Sequence, residues 1–293
     1  MSRPIKPSEQ VDLSEQVDLS EQVDLSEQVD PSEQVDPSEQ SALESTSEST
    51  SALISEVRST EDTNSLPPTP DEERDAKRRP IYFVSGLGAD KRVFRWLRCE
   101  GYRPVHIQWL PPEPNEPIEG YAKRLTGQID NEKPIVVGLS FGGIIAVEMG
   151  KQIETDQVIL LSSVKDSSEV PFYFKLFRVF PIHRVFPFKS VLWAFYWLLY
   201  WLFAPEGSDQ KQLLKTVLLE TDPQFLKWAL HRVVTWKNRE VPENLVHIHG
   251  KGDRIFPYRF VTPNYSVENS GHLMVMNRAE QVSDLLEQLI IRA

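Results

Sequence analysis

A single cysteine, Cys99, stands in the 293 residues, which excludes an intrachain disulfide framework. The N-terminus offers no apolar core of a secretory signal, and together these absences set a reducing, cytoplasmic location as the expectation. Cys99 itself falls in the helical-looking stretch ADKRVFRWLRCEGY and reads as a small packing residue, not a nucleophile. Long apolar runs are missing as well. Val191 to Ala204 makes an uninterrupted run of 14 residues, and a helix of that length reaches about 21 Å against a hydrocarbon layer of about 30 Å, so it cannot span a bilayer alone. Phosphate-loop signatures are absent too. SGLG, Ser85 to Gly88, lies between a strand-like and a helix-like stretch, yet it has neither G-x-G-x-x-G spacing nor a G-K-[ST] lysine, so nucleotide binding is not expected.

Positive charge is scarce in one part of the chain only. The formal net charge is −11, but residues 1–79 hold 20 Asp/Glu against 7 Lys/Arg, leaving 23 acids and 25 bases for the rest. From Ser8 this segment repeats SEQVD plus a sixth residue: Leu13, Leu19 and Leu25, then Pro31 and Pro37. Six helical steps rotate each repeat by about a third of a turn, so no apolar stripe can form. The polar density and the prolines oppose a packed sheet. A disordered acidic tail and linker over residues 1–79 is the expectation, with a short β-solenoid or a partner-binding tail as the alternative; no partner is encoded.

Residues 80–293 suffice for one domain with one core. IYFVSG from Ile81, VHIQWL from Val105, PIVVG from Pro134, QVILLSS from Gln157, NLVHIHG from Asn244 and a weaker NYSV near Tyr265 read as strands. Helices are expected over Lys91 to Arg98, Ile118 to Ile129, Gly142 to Ile153 and Ala279 to Ile291, with Asp90 as an N-cap. Strands apolar throughout and alternating with helices imply an α/β fold: a mostly parallel sheet of about six strands, covered on both faces. Functional groups then belong at the carboxyl ends of the strands.

GLSFGG, Gly138 to Gly143, directly follows the apolar run Ile135 to Val137 and fits G-x-S-x-G. Small residues on both sides of a serine let a strand turn sharply into a helix and present the hydroxyl above the sheet. A hydroxyl is a poor nucleophile at neutral pH and needs a base, which needs an orienting acid. His272 in SGHLMVMN, before the last helix, is the base candidate; Asp253 in NLVHIHGKGDRIFP, after a strand, is the preferred acid. Asp166, also after a strand end, is its rival. His247 and His249 lie on a strand, His106 on an earlier one, and His183 and His231 in an insertion, so they suit the role less well. Charge developing on a carbonyl oxygen also needs two N–H donors. The amide of Phe141, after the serine, is one candidate, and Leu87 in the glycine-rich loop after the first strand is the other.

The combination SGLGADKRVF, GLSFGG, HGKGDRIFP and SGHLMVMN resembles the α/β-hydrolase superfamily, in particular its small bacterial members with a GLGAD-type first loop, over about residues 80–293. The resemblance implies a triad of Ser140, Asp253 and His272, an oxyanion hole of Leu87 and Phe141, and no metal or organic cofactor. Two departures stand out. Ser85 occupies a position where many members carry histidine, and the first two strands of the usual sheet have no candidate here, which implies a trimmed sheet.

An insertion over about residues 165–240 sits where the superfamily carries its cap. Its segment 171–204 holds 14 of the chain's 29 aromatics, four Lys/Arg and no Asp or Glu. Such a composition suits a helical cap that walls an apolar acyl pocket, and aromatics beside cations also suit peripheral membrane contact; burial in a dimer is a further alternative. Four positive charges beside an acidic tail make nucleic acid a poor partner. The expected activity is cleavage of an ester, thioester or amide with an apolar acyl group, the alternative being an inactive fold that binds a membrane or a protein through this insertion.

Overall fold

The computed structural model describes residues 78–98, 100–174 and 196–292, with side chains omitted at Tyr196, Ile291 and Arg292. Nearly all of the expected acidic tail, Cys99 and the middle of the aromatic insertion lie outside the described residues.

Six strands form one sheet in the order β2-β1-β3-β4-β5-β6: β1 Arg79–Val84, β2 Tyr102–His106, β3 Ile135–Leu139, β4 Gln157–Leu161, β5 Leu245–Gly250 and β6 Tyr265–Val267. Every pairing is parallel. Both faces are buried, which is why the strands are apolar throughout. In β1, Tyr82 and Val84 join one core while Ile81 and Phe83 join the other, and β3 divides Val136 from Ile135 and Val137 in the same way. The first core is closed by α1 (Ile118–Thr126) and α2 (Phe141–Gly150), the second by the C-terminal α7 (Ala279–Arg292). Between β4 and β5 run α3 (Tyr196–Phe203), α4 (Gly207–Glu220) and α5 (Pro223–Thr235); a single turn, α6 (Met274–Asn277), precedes α7.

Two expectations shift. The strand expected from Val105 begins at Tyr102 and ends at His106, because its one neighbour, β1, pairs Phe83 with His106 and then leaves the sheet at Val84. The helix expected over Lys91 to Arg98 is a 3-10 turn, Lys91–Phe94. Asp90 caps it as expected, accepting the Arg92 N–H at 2.9 Å, but the Arg98 N–H donates to Ser283 Oγ on α7, so tertiary packing takes the donor that a longer helix would use.

The insertion helices are stitched to the body beside the carboxyl ends of β1 and β3. Thr221, at the end of α4, lies 3.2 Å from the Gly88 carbonyl through its hydroxyl, Arg92 pairs with Glu220, and the Trp228 indole on α5 donates to Glu116 O. Phe225 and Trp228 pack into one aromatic group with Trp109, Tyr121 and Phe141.

Candidate active site

Ser140 sits at the junction of β3 and α2 with φ 54° and ψ −119°, a conformation that costs a side-chain-bearing residue about 1–3 kcal/mol. The surroundings enforce it. Ser140 N–H donates to Leu161 O on β4 at 2.9 Å, and Ser140 O accepts from Gly143 N–H at 2.9 Å and from Ser163 Oγ–H at 2.6 Å. The flanking glycines are required by close approach. A Cβ on Gly138 would fall 2.4 Å from Gly142 O, and one on Gly142 would fall 2.2 Å from Ser85 O.

His272 comes from the loop between β6 and α6, and Asp253 from the loop after β5. His272 Nδ1 lies 2.8 Å from Asp253 Oδ2, and His272 Nε2 lies 2.8 Å from Ser140 Oγ. Because a carboxylate only accepts, Nδ1 carries the proton and Nε2 is left to accept from the Ser140 hydroxyl. The other carboxylate oxygen, Asp253 Oδ1, accepts the Ile255 N–H at 2.8 Å and the Phe256 N–H at 2.9 Å. Burial pushes this carboxyl up; the charge and hydrogen bond of His272, with His249 and the Phe256 N–H, more than offset it and hold Asp253 below the usual range. His272 is enclosed by Phe203, edge-on at 5.5 Å, and by Phe256, tilted at 5.9 Å. Asp166, the rival acid, is elsewhere: its carboxylate accepts from the Ser168 N–H and hydroxyl in an exposed bend.

Residues 81–285 match the profile of the Alpha/beta hydrolase family. The chain belongs to the alpha/beta hydrolase family. Membership makes it a hydrolase, and leaves the bond it cleaves to be argued from the site. No protein of curated function matches the sequence. Among solved structures, an esterase from Thermogutta terrifontis aligns over 73% of this chain and 90% of its own, with 16% identity and a TM-score of 0.56. The hydrolase olei00960 from Oleispira antarctica aligns over 74% and 92%, with 14% identity and a TM-score of 0.57. An enol-lactonase from Burkholderia xenovorans aligns over 73% and 92%, with 15% identity and a TM-score of 0.55. At such identities the likeness is one of fold.

In this hydrolase the loop Ser85 to Ala89 faces the sharp turn at Ser140: a Cβ on Gly86 would lie 3.5 Å from Ser140 Cβ. The Leu87 and Phe141 amides have no hydrogen-bond partner among the described residues. An apolar slot of about 70 Å³ opens beside Ser140 and His272, walled by Leu87, Val93 and Leu139 of the body and by Phe203, Leu214 and Val217 of the insertion.

Residues that the motif reading did not place at the site now appear there. His249 Nε2 lies 2.8 Å from Phe256 O and 3.5 Å from Asp253 Oδ2, so it carries a proton, and His249 Nδ1 accepts from His247 Nε2 at 3.1 Å. Burial lowers the pKa of both rings. The signal for this pair was present as alternate histidines on one strand, which share a face. Trp109 is the other addition, hidden in a stretch that reads as strand.

Proposed function

We propose that the protein is a serine hydrolase cleaving a carboxylic ester, thioester or amide with an apolar acyl group. The observation that carries this reading is one imidazole placed 2.8 Å from a strained serine hydroxyl on one side and 2.8 Å from a buried carboxylate on the other. Ser140 Oγ attacks the carbonyl carbon while His272 Nε2 takes its proton, and Asp253 steadies the imidazolium. The Phe141 and Leu87 amides receive the negative oxygen. The leaving alcohol, thiol or amine departs with the proton from His272, and water, deprotonated by the same ring, attacks the acyl carbon to release the acid and restore Ser140. The esterase and the enol-lactonase of like fold support an ester carbonyl as target. The slot carries no charged side chain, which matches an apolar acyl group. A panel of p-nitrophenyl esters of increasing chain length, with thioester and amide counterparts, tests the reading alongside a fluorophosphonate probe. Turnover of at least one ester and labelling of the wild-type protein are expected; neither labelling nor turnover would leave a binding protein on a hydrolase fold.

The partner of the aromatic insertion is read as an anionic lipid surface, contacted peripherally, since no helix among the described residues is long and apolar enough to cross a membrane. On α3, Trp197 and Trp201 stand one turn apart with 69% and 53% of their surface exposed. The Arg254 guanidinium lies 4.8 Å over the Trp201 ring, and exposed Phe172 packs on Phe260, which carries Arg259 at 4.8 Å. Indoles with adjacent cations and no acid in residues 171–204 suit the headgroup layer. Flotation with phosphatidylcholine vesicles containing about a third phosphatidylglycerol is expected to recover the wild type and to lose most of a Trp197→Ala, Trp201→Ala variant, with hydrolysis of a soluble ester retained. Equal flotation of the two proteins overturns the lipid reading; a mass in solution that halves in the variant assigns the patch to a dimer.

A further inference from the structure

We infer that Trp109 is a positioning residue that sets the spacing of the two oxyanion donors, with Ser85 as its polar partner; the inference rests on the serine-hydrolase reading. The loop carrying the Leu87 amide is short and turns at Gly88, φ 69°, closed by Ala89 N–H to Gly86 O at 3.0 Å. Two donors converge on the far end of that turn. Ser85 Oγ–H donates to Ala89 O at 2.6 Å, and Trp109 Nε1–H lies 3.0 Å from both Ala89 O and Ser85 Oγ. Ser85 is 3% exposed, so its hydroxyl needs both partners, and Trp109 supplies the one that no other residue offers among those described. The same indole stacks on Phe141 with ring centroids 5.6 Å apart and planes at 29°. One side chain thus holds the Leu87 loop by its N–H and the residue bearing the second amide by its ring face.

The indole is itself fixed. The Tyr121 hydroxyl donates to Leu110 O at 2.7 Å and accepts from Leu110 N–H at 3.1 Å, pinning the chain next to Trp109, and Phe225 of the insertion packs against the ring at 5.3 Å. Because β2 stops at His106, at the carboxyl end of the sheet, the chain is free to fold over that end and deliver Trp109 there. Hydrogen bonds to an oxyanion act only when the donors sit where charge develops, so a residue that sets their separation affects the transition state far more than the bound ester.

The test is Trp109→Phe, which keeps an aromatic face for Phe141 and removes the N–H, compared with Ser85→Ala. For the p-nitrophenyl ester turned over best by the wild type, kcat is expected to fall about tenfold to a hundredfold in Trp109→Phe with KM held within about threefold. The inhibition constant of an alkylboronic acid, whose Ser140 adduct places an oxygen between the two amides, is expected to rise by the same factor as kcat/KM falls. Retained kcat in a folded Trp109→Phe protein, or a rise in KM alone, overturns the inference and makes Trp109 a pocket wall. Should Trp109→Phe not fold, Ser85→Ala decides: unchanged kcat and boronate affinity overturn the inference, and a parallel loss in both supports it. A wild-type protein that neither turns over esters nor reacts with fluorophosphonate overturns the hydrolase reading itself, so the two failures are distinct.

Discussion

Exchange of Ser140 for glycine is expected to give a protein that is more stable than the wild type and unable to hydrolyse any ester. The strain at φ 54° and ψ −119° disappears when the Cβ does, a gain of about 1–3 kcal/mol, and the added freedom of the unfolded glycine returns about 0.5–1 kcal/mol of it. The net of about 1 kcal/mol corresponds to a rise in Tm of about 2–4 °C, measurable by calorimetry. The companion Ser140→Ala keeps the Cβ and the strain, so its Tm is expected to stay close to that of the wild type. Both variants lose the nucleophile; kcat is expected to drop by at least about 10⁴-fold and fluorophosphonate labelling to vanish. Labelling that persists in Ser140→Ala would place the nucleophile elsewhere, and a glycine variant less stable than the alanine one would contradict the strain.

Asp253→Asn is expected to fold and to lose about 10⁴-fold in kcat. The reason is tautomeric. The backbone N–H groups of Ile255 and Phe256 both point at Oδ1, so the asparagine carbonyl is drawn to that side and its NH₂ faces His272 Nδ1 and His249 Nε2. Facing a donor, His272 keeps its proton on Nε2 and has no lone pair for the Ser140 hydroxyl. Raising the pH does not restore a misplaced proton, so the pH profile at the alkaline end is expected to stay flat at the lowered rate. Recovery of wild-type rates above neutrality would show that the carboxylate acts by charge alone.

How legible the site was follows from what each residue needs locally. Ser140 could be read because a strand, two small residues and a helix must all be contiguous around it, and that requirement is written within a dozen positions. Asp253 could be preferred to Asp166 only by the order of elements, and the geometry that separates them, an acceptor-only carboxylate facing His272, is a property of β5 lying next to β6. The strands were visible because both sheet faces are covered. Trp109 was not visible, since VHIQWL satisfies the same apolar pattern as a true strand and its end is dictated by β1, which departs at Val84 and leaves nothing to pair with. The 3-10 turn at Lys91–Phe94 was missed for a related reason, a donor captured by Ser283 from a helix nearly two hundred residues away.

The slot beside Ser140 draws its polar machinery from loops at the rim of the sheet but much of its apolar wall from α4, where Leu213, Leu214, Val217 and Leu218 all face inward. Under the proposed serine-hydrolase mechanism, chemistry and selectivity are therefore written on different stretches of polypeptide. Bulk can be added to or trimmed from four helical positions while the elbow, the imidazole and the carboxylate stay where the strands put them, so a lineage can change what it digests without relearning how to digest it.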